Sequence, residues 1–88
     1  TVNGDSMVDS HIADGDVVLM EPVQDPQRLR NGTVVSALVA GSGTTLKHFH
    51  RQGAKVVLEA ANPAYQPIEL PAEQVEVQGR LVAVWRQV

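Results

Sequence analysis

Between Asn31 and Glu59 the chain is cut into short apolar runs by turn signals too closely spaced to admit a helix of ordinary length. Asn31-Gly32 precedes Thr33–Val39, which is rich in β-branched residues. Gly41-Ser42-Gly43 then reads as a hairpin connection into Thr44–His50, and Arg51-Gln52-Gly53-Ala54 as a second tight connection into Lys55–Glu59. The same logic extends outward. Val17–Met20 is a short apolar run behind Gly15-Asp16, and Val75–Trp85 carries the longest alternation, with Val75, Val77, Leu81, Ala83 and Trp85 on one face. Gly79 interrupts that alternation and allows a bend or bulge. Ala61–Pro71 holds three prolines, so it must be loop or edge structure. Helix is confined to single turns at Asp25–Arg30 and Ala72–Val75. The expected fold is a compact, mostly β, antiparallel and strongly twisted sheet or partial barrel.

Eighty-eight residues make one domain, residues 1–88, with a thin core. A chain of this size buries only roughly 60–65% of its unfolded surface, so a second copy or another segment packed against it would help. With 43% hydrophobic and 19% charged residues it is globular rather than disordered. It has no cysteine, which excludes disulfides and thiolate zinc sites. Its longest apolar runs are far too short to span a membrane, and no signal-peptide pattern opens it. A cytoplasmic location is the expectation. The formal charge is −3 and the seven Lys and Arg are scattered along the sequence, which argues against nucleic-acid binding by this domain itself.

The residues that could carry chemistry are few. His48 and His50 share a strand face and His11 could join them, but no spacing fixes a third metal ligand. No metal or cofactor is expected, and Gly41-Ser42-Gly43 lacks the lysine and helix of a phosphate-cradling loop. Nucleophilic catalysis is the better lead. Ser6 sits in Gly4-Asp5-Ser6-Met7, where the glycine lets the backbone turn tightly and aim adjacent N–H groups at one point. A serine needs a base, and the candidates are His11, a remote histidine, or a lysine. Lys55 opens a strand beside a turn and should be solvated. Lys47 lies mid-strand and shares a face with Thr45 and Phe49. Well under 0.1% of an ordinary lysine is neutral at pH 7, and a fall of roughly 3 units would cost the ammonium about 4 kcal/mol. Burial on an apolar sheet face can supply that. On pattern alone, a turn serine and an ordinary strand lysine remain open.

At this point the residues resemble a family. Gly4-Asp5-Ser6-Met7 followed by Ile12-Ala13-Asp14-Gly15-Asp16 resembles the serine motif of the LexA, UmuD and phage-repressor autopeptidases. Thr45-Leu46-Lys47 resembles their lysine motif, Ala61–Ile68 their "N-x-x-Y/F-x-P-I" stretch, and Val77–Arg86 their final strand. The likeness runs in order through nearly the whole chain. It implies that Ser6 is the nucleophile and Lys47 the general base, with the backbone N–H groups of Asp5 and Ser6 as oxyanion hole. The implied reaction is hydrolysis of one Ala-Gly-type bond in the protein's own chain, stimulated by the RecA–single-stranded-DNA filament, which inactivates an SOS-response repressor.

The linkage Arg51–Val56 favours LexA over UmuD, the autoprocessed polymerase subunit, and His48 departs from the second basic residue that many relatives carry. The resemblance also implies a homodimer through the strand near Val77–Trp85. Operator DNA would be bound only by a helix-turn-helix domain that, with the cleavage segment, lies N-terminal to these residues. Ala40-Gly41 has the letters of a scissile pair but sits in the connection to the Lys47 strand, so it is rejected as the cleavage site. A non-catalytic dimerisation module and a signal-peptidase-like enzyme are the other classes compatible with these residues.

Overall fold

The computed structural model describes residues 2, 4, 6, 7, 9, 12–41 and 43–86. Six strands form one antiparallel sheet: β1 (Val17–Pro22), β2 (Thr33–Val39), β3 (Gly43–Gln52), β4 (Lys55–Glu59), β5 (Ile68–Pro71) and β6 (Val75–Trp85). They lie in the order β1-β6-β2-β3-β4-β5, so the sheet is open, with β1 and β5 as its edges. The β2–β3–β4 meander follows from the turn signals. Gln52 pairs with Lys55 across a two-residue loop, where Gly53 supplies a φ of 61° that other residues seldom adopt. The proline-rich stretch ends in β5, a four-residue edge strand in which Leu70 is the one half-buried residue.

The β2–β3 register decides where the core sits. Thr33 pairs with Phe49, Val35 with Lys47 and Ala37 with Thr45, so these side chains share one face. On that face Val35, Ala37, Val39, Phe49, Val56, Leu58 and Val77 form the buried cluster, and Val23, Leu29, Leu70, Ala72 and Val75 pack over it. The single 3-10 turns at Pro26–Arg28 and Ala72–Gln74 bring part of that cover. Asp25 starts the first by accepting the Gln27 N–H at 3.1 Å. Lys47 is therefore a cation set among core residues by the pleat itself.

The expectation that Val75–Trp85 presents one apolar face is corrected by two register shifts in β6. Ala37 pairs with Val77 but Ser36 with Gly79, leaving Gln78 as an extra residue; Leu19 pairs with Ala83 but Met20 with Leu81, leaving Val82 as another. Each bulge moves the residues beyond it to the opposite face. Leu81 therefore shares a face with Met20, while Ala83 and Trp85 share one with Leu19 and Val17. A bend at Gly79 is required on steric grounds as well. A Cβ there would lie 3.1 Å from the Glu21 carbonyl oxygen and 3.2 Å from the Met20 Cβ.

The shifts also divide β6 into two halves. Val75–Arg80 pairs with β2, and Gly79–Trp85 with β1. Beyond Arg80, no strand of the described residues pairs with the other side of β6. Around this stretch Val17, Leu19, Val82, Val84 and Trp85 are exposed.

Candidate active site

Ser6 and Lys47 are 41 residues apart in sequence, and the fold places Lys47 Nζ 3.0 Å from Ser6 Oγ. They reach that contact by different means. Lys47 is held by the rigid centre of β3. Ser6 lies on an irregular segment that rests on buried Met7 and Ile12, and the Ile12 N–H donates to the Met7 carbonyl at 3.2 Å. The Asp9 N–H donates to the Ala61 carbonyl at 2.7 Å. This gives the Ala61–Ile68 stretch a use: its first residue anchors the serine segment, and the next residues form a turn in which Asn62 Oδ1 accepts the Ala64 N–H at 2.9 Å.

Around Nζ the partners are Thr45 Oγ1 at 2.8 Å and the Leu46 carbonyl oxygen at 3.3 Å, besides Ser6. Among the described residues no carboxylate lies within ion-pair distance of Lys47. The residue is 9% exposed, and burial pushes its pKa below the ordinary lysine value. A neutral amine has two N–H groups and one lone pair. The Leu46 carbonyl can only accept, and Thr45 can take the second N–H. The lone pair is then left to the Ser6 hydroxyl, which is the orientation in which Lys47 can receive the serine proton. Both residues line a cleft of about 370 Å³ whose other walls include Met7, Val18, Met20, Ser36 and Leu46. Its lining mixes apolar side chains with the hydroxyls of Ser36, Thr44 and Thr45, and the Ser6 hydroxyl and Lys47 amine stand at its wall.

Asp5 and His11 lie outside the described residues. His48 and His50 share a strand face, yet they take different partners: His48 Nδ1 sits 2.8 Å from the Gly32 carbonyl oxygen, and His50 Nε2 lies 3.5 Å from Glu59. Among the described residues no group of three His, Asp or Glu side chains could hold a metal ion. Lys55 is solvated and paired with Glu69 at 3.1 Å. The basic residues are less scattered in space than in sequence. Arg28, Arg30 and Arg80 line a second cleft, of similar volume, at the Pro22 end of β1. Asp25 and Glu21 pair with two of them, at 3.4 and 2.8 Å, so the groove carries little excess charge.

One group was not singled out by the sequence reading. Asp16 is buried, and its carboxylate accepts from Arg86 Nε and Nη2, each at 2.9 Å, and from the Ala13 N–H at 2.8 Å. These donors, the guanidinium first, hold its pKa at about 2. Its place in Ile12-Ala13-Asp14-Gly15-Asp16 was visible, but a partner 70 residues away was not.

Residues 1–82 match the family model described as Peptidase S24-like, and the chain belongs to this family. Within it the likeness is to LexA repressors. The chain is 48% identical to the LexA repressor of Koribacter versatilis over 86 residues, covering 98% of this chain and 40% of the relative. It is 48% identical to that of Ruegeria sp. over 85 residues, covering 97% and 34%. With the LexA repressor of Gluconobacter oxydans it shares 42% over 87 residues, covering 99% and 35%. The chain thus spans well under half the length of these curated relatives.

Proposed function

We propose that this chain is the self-cleaving and dimerisation part of a LexA-like SOS-response repressor, with Ser6 as nucleophile and Lys47 as general base. The observation that carries the reading is the 3.0 Å contact between a serine hydroxyl and a buried lysine that has no carboxylate beside it among the described residues. Ser6 Oγ attacks the scissile carbonyl carbon as its proton passes to Lys47 Nζ. The tetrahedral intermediate collapses to an acyl-enzyme, and Lys47 returns that proton to the departing amine. A water then loses a proton to Lys47, attacks the ester, and regenerates Ser6. The backbone N–H groups of Asp5 and Ser6 carry the oxyanion, as in the family the chain resembles.

The substrate is an Ala-Gly-type bond in a segment N-terminal to these residues. Ala40-Gly41 is an unsuitable alternative, because Ala40, in the β2–β3 turn, is tied to the segment before β6 by its N–H bond to the Gln74 carbonyl at 3.1 Å. The RecA–single-stranded-DNA filament stimulates the cut, operator DNA is held by an N-terminal domain, and the whole acts in the cytoplasm. The test is incubation of the full-length repressor with activated filament, and separately at alkaline pH. One cut is expected, at the same bond in both cases, and none in Ser6→Ala. A wild type that is never cut would leave only a dimerisation module, and a Ser6→Ala protein that cleaves normally would remove Ser6 as the nucleophile.

Dimerisation is proposed through the half of β6 beyond Arg80, whose outer side is open to strand pairing and whose Val82 and Val84 are 53% and 40% exposed. Twin strands pairing antiparallel about a two-fold axis lay the same short segment against itself, so a charge at Val84 would enter the seam from both copies. Val84→Glu should weaken the dimer roughly tenfold or more, about 1.4 kcal/mol, by sedimentation equilibrium. An unchanged dimer would move the interface elsewhere.

A further inference from the structure

We propose that Asp16, gripped by Arg86, is a positioning residue that holds the Ser6 segment in reach of Lys47. This rests on the reading of Ser6 as nucleophile. Lys47 owes its place to the sheet, but Ser6 belongs to no strand, so the 3.0 Å contact depends on whatever fixes its segment. That fixture is a clasp of short bonds on both sides of the serine. Before it, the Val2 N–H donates to the Asp16 carbonyl at 2.7 Å and the Gly4 N–H to Asp14 Oδ1 at 2.7 Å. After it, the Gly15 N–H donates to the Val2 carbonyl at 2.8 Å and the Ala13 N–H to Asp16 Oδ2 at 2.8 Å.

Besides the Asp9 bond to Ala61, the clasp is secured at the end of the β1–β6 ladder. Val17 and Trp85 are register partners at the end of the β1–β6 ladder, and Asp16 and Arg86 stand one step beyond them. There the guanidinium takes both carboxylate oxygens in a two-pronged grip, a geometry that lysine cannot reproduce. The Asp16 side chain is only 3% exposed, whereas that of Arg86 is 57% exposed. A carboxylate with these donors stays ionised down to about pH 2, so the clamp does not open in the range where cleavage is measured. If the clamp is lost, Ser6 drifts while Lys47 stays in place. A displacement of about 1 Å in a reacting group can cost on the order of a hundredfold in rate.

The experiment is self-cleavage of full-length protein at alkaline pH, with each variant assayed well below its own melting temperature so that only folded protein is compared. Asp16→Asn is expected to slow cleavage roughly 10- to 100-fold, with the midpoint of the pH–rate curve unmoved. Arg86→Lys should fall between it and the wild type. Arg86→Ala should be slow, and millimolar guanidinium should restore much of its rate. A residue that only stabilises the fold would lower the melting temperature without these effects. Should Asp16→Asn fail to fold, the largely exposed Arg86 variants carry the test. Wild-type rates in folded Arg86→Ala, or a slow Arg86→Ala that guanidinium leaves slow, overturn the proposal. The Ser6→Ala control separates the two readings: normal cleavage there removes the nucleophile itself, whereas a dead Ser6→Ala beside a fully active Arg86→Ala removes only the clamp.

Discussion

Lys47→Ala will leave the sheet intact and reduce self-cleavage of the full-length repressor by about 10³-fold or more. Removing a general base costs on the order of 10²–10⁴, and the higher part of that range is expected because the same amine must reprotonate the leaving group and then activate water. The direction of the pH dependence is fixed by burial. Only the neutral amine can accept the Ser6 proton, and desolvation lowers the pH at which Lys47 becomes neutral. The wild-type rate should therefore climb with pH through that depressed value and level off above it. Lys47→Arg sharpens the test. It keeps the charge and much of the length, but a guanidinium stays protonated across the whole range, so the variant should be dead even at alkaline pH. A wild-type rate flat between about pH 6 and 9 would exclude a depressed lysine as the base.

The parts of this molecule that could be read from its sequence are those governed by neighbouring residues. Asn31-Gly32 and Gly53-Ala54 fix their turns locally, and the β-branched runs between them become β2, β3 and β4. The mid-strand position of Lys47, on the face of Thr45 and Phe49, followed from a period of two and is the position the register gives it. Alternation does not reveal a bulge, because the inserted residue changes the phase without changing composition. That is why Leu81 appeared to share a face with Ala83 and Trp85, while the extra residue Val82 puts it on the other side.

The serine segment was opaque for a different reason. Asp14 and Asp16 look alike as turn residues after Ala13, but one caps the Gly4 N–H and the other is buried against Arg86. Choosing between them requires the β1–β6 ladder, which brings segments 70 residues apart into contact. Likewise, the proline-rich stretch announced a loop and an edge. That its first residue, Ala61, anchors Asp9 depends on tertiary packing alone.

Lys47→Met should stabilise the fold while destroying the proposed activity, and the gain should shrink with rising pH. The lysine sits on the core face of β3, beside Val35 and Phe49, with hydroxyls and one carbonyl around its amine and no carboxylate among the described residues to offset its charge. Its pKa is lowered in the folded protein and ordinary, near 10.5, in the unfolded chain. Between those two values the unfolded state binds more protons, so stability rises with pH. Below the folded value the penalty is present in full, and above 10.5 it is gone. Methionine fills much the same volume without charge and escapes the penalty at every pH. The hydroxyls of Ser6 and Thr45 are not stranded by the change, because the cleft of about 370 Å³ beside them admits water. In thermal melts the variant should exceed the wild type by the widest margin at neutral pH, each kcal/mol regained appearing as about 4–8 °C in a domain of this size. Above pH 10.5 only the smaller difference from added apolar burial should remain. A Lys47→Met protein that is less stable than the wild type at neutral pH, by a margin indifferent to pH, would mean that this lysine is not held in a desolvated site. The stability lost at Lys47 would then have to be explained without the chemistry that burial makes available to it.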